Sequence, residues 1–251
     1  MRRSFVAAVV LIASLASLYA QGVAEPQDQP DIVASTSWVA AMAEAAGATN
    51  VALLAPVELK HPPEYDFKPS DIIKAANARL LLWAGYEGFM KELFSATGAP
   101  DEKIVKVSTN NSPDLLIEAV RALARVLGTE QQELAWEIGL DEFSRRTLAS
   151  AAEKQVPRLR AAVQFHHQAL ARWLGYEVVA VFGPNEMTIS QLQLITQLNV
   201  DLVIDNWHSP LGLALKDQGP SYVQLINFPG QGGTKTLLDV LHYNMRQLGL
   251  E

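Results

Sequence analysis

A chain of 251 residues with a formal net charge of −7 and no cysteine excludes several classes at once. Nucleic-acid binding normally needs a basic face. Without cysteine there are no disulfides and no thiolate metal ligands, so a zinc-type site would be built from imidazole and carboxylate.

Arg2 and Arg3 precede a nearly unbroken apolar run from Phe5 to Tyr19, with small residues following at Ala20 and Ala24. A run of about 15 residues falls short of the roughly 20 that cross a bilayer. The order of charge, apolar run and small residues is that of a secretory signal peptide. We therefore expect residues 1–24 to be a signal peptide and the mature protein to be periplasmic. Beyond a stretch rich in Pro and Gln, about 220 residues remain, enough for one large domain or two lobes.

From there, apolar runs of strand length alternate with amphipathic helical stretches, the pattern of a mostly parallel sheet covered by helices. Strands are expected at Asp31–Ser35, Val51–Leu54, Ala78–Trp83 and Ile104–Val107. Helices are expected over Trp38–Ala46, capped by Ser37, and over Asp71–Ala76, capped by Ser70. The middle carries no strand signal: Asp114–Leu127 and Glu130–Glu153 are helical by composition, broken at Gly128. Alternation then restarts, with strands at Arg160–Phe165, Glu177–Phe182, Asp201–Asp205 and Tyr222–Ile226. Helices are expected at His167–Leu174, Ser190–Leu198 and Leu237–Leu248. The implied architecture is α/β. Two β/α lobes (30–128 and 156–251) with mostly parallel sheets are joined by one long backbone helix (129–155), with a ligand cleft between the lobes. Ligands of such sheets bind beyond the carboxyl ends of the strands.

No phosphate loop, nucleophile elbow or H-E-x-x-H helix occurs, and Gly230–Gly233 reads as a turn. Attention falls on the five histidines. His61 sits in a Pro-rich loop, His166 and His167 where a strand passes into a helix, and His208 just past a strand end; His242 lies mid-helix and reads as structural or solvent-facing. Three groups at predicted cleft positions point to a metal. Adjacent His166 and His167 must point in different directions, so one of them is expected to be a ligand. Glu64, Asp66, Glu186 and Asp205 are the nearby carboxylates, able to complete a shell or orient a ligand histidine. Tyr86, Asn206 and Trp207 are candidate cleft walls.

The segment His61–Ile72 (HPPEYDFKPSDI) resembles the metal loop of the TroA-like periplasmic solute-binding proteins of ABC importers. Trp83–Leu93 (WAGYEGFMKEL) and Ala162–Phe182 (AVQFHHQALARWLGYEVVAVF) are similar to two further segments of that family, and the likeness spans nearly all of the mature chain. The resemblance implies the two-lobe, long-helix fold and metal capture. His166 or His167 falls on the family's third ligand position. The first ligand position falls on Pro63, with His61 two residues before it; the second lies in Thr109–Pro113 (TNNSP) and the fourth near Asn227–Gly230 (NFPG), neither holding a ligand of the usual kind.

The reading is a non-enzymatic, monomeric solute-binding protein. It would capture a divalent transition metal, zinc ahead of manganese or iron, for an ABC permease. The metal residues would be drawn from His61, His166, His167, His208, Glu64 and Asp205. Two alternatives stand beside it. One is the same architecture with the metal site lost, taking an organic ligand or metal chelate. The other is a metallohydrolase with Glu64 or Glu186 as base.

Overall fold

The computed structural model describes residues 30–251; the expected signal peptide lies outside them. The first sheet contains β1 (Ile32–Ala34), β2 (Val51–Leu53), β3 (Leu80–Trp83) and β4 (Ile104–Lys106), ordered β2-β1-β3-β4 and all parallel. The second contains β5 (Arg160–Gln164), β6 (Glu177–Phe182), β7 (Leu202–Asn206) and β8 (Ser221–Leu225), ordered β6-β5-β7-β8 and again parallel. Each strand expected from the sequence is present.

Helices α1 (Ser37–Ala45), α2 (Pro69–Asn77) and α3 (Gly88–Thr97) serve the first sheet. Then come α4 (Pro113–Leu127) and the long α5 (Glu130–Glu153), separated at Gly128, whose φ of 72° closes α4. Helices α6 (Gln168–Trp173), α7 (Ile189–Gln197) and α8 (Leu237–Gln247) serve the second sheet. Two expected caps are corrected. The side chain that caps α1 is Thr36, which accepts from the Val39 N–H, and Ser37 instead donates to the Pro229 carbonyl at 3.0 Å. Helix α2 begins at Pro69, whose fixed φ suits a first helical position, one residue before the expected cap Ser70. Helix α3 was not expected from the pattern; it buries Phe89, Met90 and Leu93 and ends at Gly98.

The lobes share one core. Ile32, Trp38 and Met42 of the first lobe, Leu140 and Phe143 of α5, and Val163, Ile204 and Leu241 of the second belong to one continuous buried cluster. Each sheet has a smaller cluster on its other face, around Leu81 and Met90 and around Val203 and Phe182. In both sheets the strand order reverses direction between two central strands, β1 and β3 or β5 and β7. The crevice beyond their carboxyl ends is where such folds take ligands.

Candidate functional site

Loops of the two sheets meet between the lobes: after β2, Val57 and Lys60 reach Gly230 and Trp207, after β1 Ser37 reaches Pro229, and after β4 Asn111 reaches His167. After β3 the chain turns at Gly85 (φ 96°), and Glu87 folds back under the turn. Its fully buried carboxylate accepts from the Ser35 hydroxyl (2.5 Å) and from the N–H groups of Ala84 (3.0 Å), Gly85 (2.9 Å) and Tyr86 (3.1 Å). This acid builds the loop that carries Tyr86 to the cleft. Its repetition in the family-like segment was visible, but its bonding to three successive N–H groups was not.

The two adjacent histidines part company as the alternation rule requires. His167 is fully buried and its Nδ1 lies 3.1 Å from Asn111 Nδ2, a contact that ties the end of the second lobe's β5 to the loop after the first lobe's β4. Burial, with the nearby His166 and His208 adding to it, pushes its pKa down to about 3, against the opposing pull of Asn206 and the Leu225 carbonyl. His166 faces the cleft and keeps contact with solvent. The cleft walls, and after them the charge of His61, lower its pKa.

His208 sits past the end of β7, 8% exposed, edge-on to Trp207 and Phe228. Its Nδ1 is buried without a hydrogen-bond partner. Burial holds its pKa near 4, Asn227 opposing while Lys60 and His61 lower it further. The imidazole is therefore neutral at ordinary pH, the form in which it ligates metals. His61 is half-exposed and pairs with Glu64 at 3.2 Å. It lies near enough for its charge to be felt by both His166 and His208.

The remaining candidates lie elsewhere. Asp205 is fully buried and already accepts from the Asn206 N–H (2.8 Å), the Gly212 N–H (2.8 Å) and the Tyr222 hydroxyl (2.6 Å). Burial raises its pKa, those bonds partly offsetting it. It organises the loop after β7 rather than standing free for a ligand. Asp66 and Glu186 are exposed. Asn206 is buried and accepts from the His208 N–H, while Trp207 receives the Lys60 ammonium 5.1 Å from its ring. His242 packs against Phe143 and pairs with Glu251, a structural role as expected. Among the described residues no three His, Asp or Glu side chains converge closely enough to hold a metal ion. His166 thus lines the cleft, His208 is buried beside a separate pocket walled by Lys60 and Trp207, and His61 is half-exposed in the loop after β2.

The sequence missed the buried amides. A small chamber of about 40 Å³ is lined by Trp38, Tyr86, Thr109, Asn111, His166 and Asn227. Trp38 Nε1, Asn111 Oδ1 and Asn227 Oδ1 are buried without partners. Outside it a cleft of about 1040 Å³ is bounded by Tyr86, Lys106, Thr109, Phe165, His166 and Arg172, among others.

Comparison with solved structures settles the architecture. A laminin-binding adhesin (Lmb) from Streptococcus agalactiae, solved as a mutant, superposes with a TM-score of 0.67 at 15% identity, covering 87% of this chain and 98% of that one. The chain shares the fold of that protein, two parallel β/α sheets joined by a long helix, over most of its length. The laminin-binding protein Lbp of Streptococcus pyogenes gives 0.65 at 17% identity, covering 87% and 96%. A Mn-bound periplasmic metal binding protein from Candidatus Liberibacter asiaticus gives 0.64 at 16% identity, covering 88% and 99%. These neighbours are named for laminin binding and for periplasmic metal binding. No family model and no curated protein matches the chain.

Proposed function

We propose that the protein is the periplasmic receptor of an ABC importer, capturing a divalent transition metal between its lobes for delivery to a permease. The observation that carries this reading is His208. It is a neutral imidazole with a buried, unpartnered ring nitrogen just past a strand end, and His61 exerts an electrostatic influence on both it and His166. A buried polar atom left without a partner costs about 1–3 kcal/mol, an expense that binding a ligand would recover. His61, His166 and His208 would supply the imidazoles, and Glu64 would hold the distal nitrogen of His61 and fix its tautomer. His167 and Asp205 would support the site from behind without touching the ion. Three imidazoles without sulfur favour zinc over manganese and iron, while the Mn-bound neighbour keeps manganese in view.

No chemistry is required of such a receptor. It must bind more tightly in its closed form than in the form the permease engages. The shared core and the 24-residue α5 favour a small rocking closure, with the loop carrying His61 moving onto His166 and His208. The test is zinc-dependent thermal stabilisation of wild type and of a His61→Ala/His208→Ala double variant. A rise in Tm that depends on zinc and vanishes in the variant is expected; the same rise in both would remove these ligands from the account.

A further inference from the structure

The cleft beside His166 is far larger than an ion requires. Its volume of about 1040 Å³ lies at the top of the range of roughly 300–1,000 Å³ typical of small-molecule sites. Its walls expose apolar surface that a bare ion would never touch: Tyr86 is 50% exposed, Phe165 45% and Leu115 36%.

The charges point the same way. Lys106 and Arg172 line the cleft, and neither has an ion-pair partner among the described residues. Lys106 lies close against Gly85, where an added Cβ would fall 2.2 Å from its Cε. Asp114 is the single carboxylate on the same wall. Two unpaired cations repel a naked divalent ion and attract an anionic group. Deeper in, the 40 Å³ chamber offers an indole N–H from Trp38 and amide oxygens from Asn111 and Asn227, all unpartnered, with His166, Tyr86 and Thr109 shared between chamber and cleft. Finally, among the described residues no three His, Asp or Glu side chains converge, so a captured metal keeps coordination positions for atoms those side chains do not supply.

Resting on the metal-capture reading above, we propose that the cargo enters as a chelate, a divalent metal already held by a small carboxylate-bearing organic molecule. Its carboxylates meet Lys106 and Arg172, a hydroxyl or amide group reaches the chamber, and His166, the imidazole that lines both spaces, completes the metal's shell. Size, exposed aromatic wall and unpaired cations are then accounted for together.

Equilibrium dialysis of the mature protein tests this, using labelled zinc and labelled citrate, each alone and together, with histidine as a second chelator run in the same way. The expected result is chelator retained one-to-one with zinc and not without it. The Lys106→Gln/Arg172→Gln variant should bind the zinc–citrate complex about tenfold more weakly, the scale of two exposed ion pairs. Zinc retained at full occupancy with both chelators excluded would overturn the chelate and leave metal capture standing. Chelator retained without zinc would overturn it in favour of an organic-anion receptor. Retention of neither would bring down both readings.

Discussion

Replacing Glu87 with Ala would strand four donors at once: the buried Ser35 hydroxyl and Ala84 N–H, and the part-buried N–H groups of Gly85 and Tyr86. Each buried donor left unpaired costs about 1–3 kcal/mol, and water entering from the cleft side would rescue one or two of them, so a loss of about 4 kcal/mol is expected. Glu87→Gln keeps the volume and one acceptor oxygen but turns an NH2 towards donors, and should cost about half as much. Urea unfolding of metal-free protein measures both, with an unchanged slope showing that stability alone has moved. Because the same turn carries Tyr86 into the cleft, ligand affinity should fall alongside stability. An Ala variant within about 1 kcal/mol of wild type would refute the view that this carboxylate builds the loop.

Other perturbations reach other parts of the argument. The pKa of His167 is about 3 when folded and near 6.5 when unfolded, so its contribution is present above the unfolded value and lost as pH falls. Between pH 7 and pH 5, metal-free wild type should lose about 2 kcal/mol more than His167→Gln, measured by denaturant titration at each pH. Asn111→Ala leaves His167 Nδ1 unpaired across the lobes and should cost about 1–3 kcal/mol by the same titration. Asp71 accepts from the Tyr65 hydroxyl (2.8 Å), the Lys68 N–H (2.9 Å) and Lys74 Nζ (3.1 Å). Burial alone would raise its pKa, but those bonds outweigh it and the net shift is downward. Its contribution is therefore present above the usual carboxylate pKa and lost as pH falls through the lowered one. Asp71→Asn should cost about 1–2 kcal/mol at pH 7 and progressively less towards pH 3.

The strands were legible because each is a short apolar run between turn residues, LLLW of β3 being the plainest. Helix α5 was legible because 24 residues pass without Gly-Pro punctuation, its lone Gly139 packing under Leu238. Helix α3 was missed because its apolar residues follow Trp83 with only Gly85 and Gly88 to mark the break. Sequence placed His166 and His167 together at the cleft, but only the backbone's direction after β5 shows that the first faces the ligand space and the second the core. Asp205 reads in the sequence as a carboxylate near His208 that could complete a metal shell or orient a ligand histidine. Nothing in the sequence forecasts that Gly212 and Tyr222, seven and seventeen residues on, would occupy its oxygens. The unpartnered amide oxygens of Asn111 and Asn227 were equally hidden, since amides in loops carry no pattern.

The most direct test of the central claim is X-ray absorption at the zinc edge on the zinc-loaded mature protein. The account predicts a shell containing several imidazole nitrogens at about 2.0–2.1 Å, reduced in His61→Ala, His166→Ala and His208→Ala. Zinc bound through oxygen alone, or a shell that these substitutions leave unchanged, would contradict it.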